Sequence, residues 1–164
     1  MKRIWATWRM KYILGEKPDD CVFCEALNAG DDPARYVVHR SAHSALILNT
    51  FPYINGHMMV VPYRHTGDLL DLEPETVGDM MRQTQTGLRL LRGAMNPHGF
   101  NVGMNLGQAA GAGIQDHVHI HIVPRWENDT NFMPILGEVR VIPESLDDTY
   151  RKLLAELHRL GPEA

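Results

Sequence analysis

Three histidines at alternate positions, His117, His119 and His121, stand in the segment HVHIHIVPRW with Val118, Ile120 and Ile122 around and between them. Side chains along an extended chain point to opposite faces in turn, so this spacing gathers the imidazoles on one face and sends the aliphatic side chains to the other. On a regular strand, successive imidazoles stand roughly 7 Å apart. One histidine at a polar position of a half-exposed strand needs no special account, but three in step do. Such a row offers hydrogen-bond donors, metal ligands and a nucleophile whose neutral form is abundant near neutral pH. A neutral imidazole nitrogen attacking phosphorus in line divides one difficult displacement into two easier ones through a phosphoramidate. Donors aimed at the equatorial oxygens then take the part that metal ions or arginines play at other phosphoryl-transfer sites.

A second group has ligand chemistry. The chain's two cysteines form one C-x-x-C, Cys21 and Cys24, and with His65 and His117 they make up a Cys₂His₂ set suited to zinc. Taken alone, the cysteine pair fits two buried thiols or a redox couple equally well, although no strand-turn-helix pattern of the thioredoxin kind surrounds it. Just before the triad, QAAGAG is a loop of small residues that can approach a ligand with its backbone. In and beside it Gly107, Gly111 and Gly113 allow N–H groups to converge on an anion, and the following Ile114 adds no bulky polar side chain. His39, His43, His98 and His158 have no spacing partners and read as exposed or locally hydrogen-bonded. Phe51 and Tyr53 fit a wall for stacking a base or burial in a turn.

These groups need a scaffold. Short apolar, β-prone runs over 36–39, 44–49 and 58–62 predict antiparallel strands, with Asn55-Gly56 as the clearest hairpin signal. Further strands are expected over 100–106 and 117–124. From Val77, the positions Met80, Met81, Thr84, Leu88 and Leu91 follow the one-sided spacing of a helix lying on a sheet, with Pro74 in its first turn. A second amphipathic helix follows Ser145, which with Asp148 resembles a capping box. Ile4, Trp5, Trp8 and Tyr12 read as a short helix or an irregular aromatic anchor. With 164 residues, 44% of them hydrophobic, the chain can bury one core without disulfides. No repeat or linker divides it, so one domain is expected over 1–164. A net charge of −4 gives no general attraction for polyanions, so nucleic acid is not an expected partner. The basic, interrupted opening MKRIWATWRMKYIL fits neither a signal peptide nor a membrane span, and the cytoplasm is the expected location.

His117-Val118-His119-Ile120-His121-Ile122-Val123 resembles the signature of the histidine triad family, His-φ-His-φ-His-φ-φ with φ apolar. The resemblance extends to ALILNTFPYINGHMMVVP and CVFC, and so covers 21–125, leaving an aromatic segment over 1–20 and a helix-bearing extension over 126–164. It implies an α+β fold with a five-stranded antiparallel sheet and two main helices, usually a homodimer. It also implies that His119 is the nucleophile on the α-phosphorus, that His121 and His57 contact the phosphate oxygens, and that Asn49 binds ribose. Asn105 matches a polar position ahead of the triad across a one-residue insertion. Many members carry a hydroxyl or amide residue where this chain has Gly113-Ile114, which leaves Gln115 as the side chain nearest that role. One branch of the family binds structural zinc through residues matching Cys21, Cys24, His65 and His117. No organic cofactor or magnesium cage is implied. His121 argues against the galactose-metabolism transferases, which place glutamine there. WATWRMKYI and PRWENDTNFMPILGEVRVIPESLDDTY look most like the bacterial branch that includes diadenosine tetraphosphate phosphorylases. The expected activity is therefore nucleotidyl transfer from dinucleoside polyphosphates to phosphate or water, with a nucleoside phosphoramidate hydrolase or a non-catalytic nucleotide-binding module as alternatives.

Overall fold

The structure, a computed structural model, describes residues 21–129 and 142–161. The aromatic anchor expected at Ile4, Trp5, Trp8 and Tyr12 lies outside them. The elements run α1 (Val22–Asn28), β1 (Val37–Arg40), β2 (Ser44–Leu48), β3 (Met58–Pro62), α2 (Pro74–Met95), β4 (Gly99–Gly103), β5 (Ile120–Arg125) and α3 (Leu146–Leu160), with single 3-10 turns at Leu69–Asp71 and Gln108–Ala110. The strands form one antiparallel sheet in the order β1-β2-β3-β5-β4, so the last strand in sequence lies between β3 and β4.

Alternation along the strands separates two apolar layers. Leu46, Leu48, Met58, Val60, Ile120 and Ile122 join Met80, Leu90 and Leu91 of α2 and Leu153 of α3 in the larger core. Ala45, Ile47, Met59 and Val61 meet Phe23 and Leu27 of α1 on the opposite face. α2 begins with Pro74, whose missing N–H costs nothing in a first turn, and stops where Asn96 adopts a left-handed conformation just before Pro97. It lies close to the sheet because Gly87 faces it; a Cβ there would come within 2.7 Å of Ile122 Cδ1.

Several expectations change. Met81 is exposed, whereas Asp79 and Gln83 are buried on the sheet side of α2. Asp79 accepts from Ser41 Oγ, Ser44 Oγ and the His43 N–H, and so fastens the β1–β2 turn. Asn55-Gly56 does turn the chain, with Gly56 at φ +78°, but inside the longer loop 49–57 and not as a two-residue hairpin. β4 ends at Gly103, short of Leu106. β5 starts only at Ile120, so His117 and His119 precede the strand ladder. Their segment stays extended because the Val118 N–H donates to Thr66 O at 2.7 Å, outside the sheet.

Candidate functional site

Alternation survives where the ladder does not. Val118, Ile120 and Ile122 enter the core, while His117, His119 and His121 turn to the face that carries α1. The rings lean together more than strand spacing implies, with the His119 and His121 centroids 4.6 Å apart. His119 is 5% exposed, and its Nδ1–H donates to the His117 carbonyl at 2.9 Å. A neutral ring protonated there keeps its lone pair on Nε2. Burial lowers its pKa from the ordinary value, against the raising effect of that hydrogen bond. Phe23 packs edge-on against it, 4.9 Å between centroids.

His121 pairs across the sheet with Met59, and its Nδ1 lies 3.0 Å from His57 Nε2. Burial, with the neighbouring imidazole of His119, lowers the His121 pKa to about 4. His57 closes the loop 49–57 and is wholly buried, with its pKa lowered to about 3 first by burial and then by His121 and His119. Its Nδ1 accepts from the Tyr53 N–H at 3.1 Å and from Asn49 Nδ2 at 3.2 Å. Both ring nitrogens of His57 are thus engaged within the protein, one of them by His121. Asn49 is 9% exposed and accepts the Phe51 N–H on Oδ1 at 2.8 Å. The Tyr53 ring lies 4.5 Å from His57 and 5.7 Å from His121, centroid to centroid, beside the site as one of the two readings of its sequence position required.

A groove of about 990 Å³ opens at His121 and Tyr53 and runs past Asn105, Val102, Met95 and Lys152. Asn105 therefore lies beside the triad despite the one-residue insertion. His119 is not on its wall. In the preceding loop Gly107 and Gly111 take φ +77° and +82°. The N–H groups of Ala110 and Gly111 are spent on a local turn. Gly113 and Gln115 are exposed, whereas Ile114 packs toward the Phe23 layer and anchors the loop.

The second constellation also assembles. One ligand atom each from Cys21, Cys24, His65 and His117 lies within 4.8 Å of the others. Cys21 Sγ is 3.3 Å from His117 Nδ1, and Cys24 Sγ is 3.4 Å from His65 Nδ1. Ligands of a tetrahedral metal stand roughly 3.5 Å apart, so donor types and spacing both fit. His117 Nε2–H donates to Pro62 O at 2.8 Å, which turns the Nδ1 lone pair toward the cysteines. Sequence reasoning missed Phe23 and the carbonyls of Pro62 and His117. The phenylalanine inside CVFC was the available signal, whereas backbone acceptors leave none.

A five-stranded antiparallel sheet with three alternating imidazoles on β5 and the extended segment leading into it, backed by a fourth from the neighbouring strand's loop, defines an α+β protein of the histidine-triad type. The chain belongs to the HIT family, whose HIT domain matches residues 32–128. It is 39% identical over 168 aligned residues, 97% of this chain and 86% of the relative, to the AP-4-A phosphorylase of Mycobacterium tuberculosis strain H37Rv. It is 33% identical over 111 residues, 68% of this chain and 55% of the relative, to the adenylylsulfatase HINT3 of Arabidopsis thaliana. Among solved structures it resembles a Zn-bound histidine triad family protein from Mycobacterium smegmatis, with TM-score 0.69 and 32% identity over 86% of this chain and 95% of that one.

Proposed function

We propose that this protein is a nucleotidyl transferase that cleaves dinucleoside polyphosphates such as diadenosine tetraphosphate at an α-phosphorus, through a covalent nucleotidyl-His119 intermediate. The observation that carries the reading is the state of His119: neutral by burial and holding its free lone pair on Nε2. That nitrogen attacks the α-phosphorus, forming an N–P bond as the bond to the bridging oxygen breaks and ATP departs. An acceptor oxygen then displaces the imidazole, breaking the N–P bond and returning His119 to its starting form. His121, its Nδ1 held by His57, turns its other ring nitrogen toward the phosphoryl oxygens. Backbone N–H groups over 112–114 supply further donors, and Asn49, Asn105, Gly113, Ile114 and Gln115 border the nucleotide.

Phosphate is the favoured acceptor, supported by the name of the 39% identical relative and by the open, small-residue loop that leaves room for a second anion. Diadenosine tetraphosphate with millimolar phosphate should then give ADP plus ATP, whereas water as acceptor gives AMP plus ATP. Products unchanged by phosphate would reject phosphorolysis and leave the His119 chemistry standing. Intact-protein mass spectrometry should detect an AMP adduct, whose absence in rapidly quenched samples would remove the covalent step.

The four-ligand cluster is assigned to one structural zinc, supported by its donor set and by the Zn-bound relative. Bound there by Cys21, Cys24, His65 and His117, zinc would tie the start of α1 to the segment that carries the triad, a structural role. A homodimer is supported by the family resemblance, and the outer edge of β4, which among the described residues pairs only with β5, is the surface on which a second sheet can continue. Light scattering showing a monomer at assay concentration would reject it.

A further inference from the structure

We infer that Asn49 is a positioning residue: it fixes which nitrogen of His57 carries the proton, and through His57 which nitrogen of His121 faces the reacting phosphate. This rests on the proposed chemistry at His119 and assigns Asn49 a task separate from contact with a ribose.

An amide nitrogen only donates, and so does a backbone N–H. His57 Nδ1 receives one of each, Asn49 Nδ2 at 3.2 Å and the Tyr53 N–H at 3.1 Å, so it presents a lone pair. A proton on Nδ1 would instead point at two donors inside a site that water does not reach, since His57 is 0% exposed. The proton of the neutral ring therefore sits on Nε2 and is donated to His121 Nδ1 at 3.0 Å. His121, neutral in turn, carries its own proton on Nε2, the nitrogen not held by His57, and its side chain borders the groove. A phosphoryl oxygen arriving there meets a donor. With the protons reversed it would meet a lone pair, and the interaction would change from attraction to repulsion.

Asn49 is suited to this by having two different ends. Nδ2 faces His57, while Oδ1 accepts the Phe51 N–H at 2.8 Å and so shapes the loop that delivers the Tyr53 N–H to the same nitrogen. Aspartate has nearly the same shape and still accepts from Phe51 and from ribose hydroxyls, but it presents an oxygen to His57 Nδ1. That oxygen calls for a proton on Nδ1.

Asn49→Asp is therefore the discriminating variant. The expected result is a kcat lowered about 100-fold, the loss typical of removing one transition-state donor, with KM for diadenosine tetraphosphate held within about threefold. A contact serving mainly the ribose would give the opposite split, a raised KM with kcat retained, and that result would overturn the inference. Independently of any variant, ¹⁵N-detected imidazole spectra of the wild-type protein should show His57 unprotonated at Nδ1 and protonated at Nε2, and Asn49→Asp should move the proton to Nδ1. A wild-type His57 protonated at Nδ1 would overturn the inference even if every variant failed to fold. Failure of the proposed function reads differently: the AMP adduct on wild-type His119 would be missing while the His57 spectrum stayed as described.

Discussion

His119 and His117 differ by two positions and are oppositely arranged, His119 keeping its lone pair on Nε2 and His117 presenting an Nδ1 lone pair to two thiols. The backbone carbonyl of His117 joins them, since it accepts the His119 Nδ1–H. His119→Ala should abolish turnover while nucleotide binding, measured by calorimetry, persists; more than a trace of activity would reject the nucleophile. His119→Gly with added imidazole should recover part of it. The imidazoles also set a pH dependence of stability. Folded His57 and His121, with pKa values lowered to about 3 and about 4, stay neutral where their unfolded counterparts take up protons below the ordinary 6.5. The unfolded state then binds more protons, so stability is full above that ordinary value. It falls as pH drops below it, by up to about 1.4 kcal/mol per pH unit for the wholly buried His57 and by less for the partly exposed His121. A urea series between about pH 7 and pH 5 tests this, and a flat result contradicts it. At this scale the alternation of the triad was legible in the sequence because it needs only an extended chain. The burial of His57 was not, because it depends on a sheet pairing and a loop fold that no local pattern encodes.

Among the elements, α1 had no sequence signal of its own. It has seven residues, no side-chain cap, and a place fixed by the cysteines at its start and by Phe23 against the imidazoles. Periodicity cannot announce a helix that short, whereas α2 and α3 were legible from spacing, and Ser145 caps α3 by accepting the Asp148 N–H. Cys21→Ser should lower thermal stability more than it slows the chemical step and should cut the zinc content toward zero; untagged, reduced protein with no zinc would remove the metal assignment. A second junction ties the approach to α3 to the loop carrying Tyr53 and His57. Asn55 Nδ2 donates to Glu144 Oε2 at 3.1 Å, and the buried Thr149 hydroxyl lies 2.9 Å from Glu144 Oε2 and 3.1 Å from Asn55 Oδ1. Thr149→Val removes that donor and should cost about 1–3 kcal/mol in denaturant unfolding. It should also raise KM as the loop loosens, and a variant with both quantities unchanged would show that α3 does not brace the site.

For the molecule as a whole, the antiparallel sheet followed from the sequence, but the strand order did not, since turn signals report which strands are consecutive and not which are neighbours. The net charge of −4 likewise leaves phosphate recognition to local donors. No helix among the described residues is long and apolar enough to cross a membrane. The placement of β5 between β3 and β4 bears on how the chain is made. β1, β2 and β3 can zip together as soon as they leave the ribosome, but β4 has no partner among the described residues until β5 follows it. During that interval the new chain exposes the inner edge of β3, the very edge the triad strand must occupy. A released chain truncated just before Ile120 should accordingly be captured by chaperones and cut by proteases at β4, whereas the full chain should protect sheet and triad together.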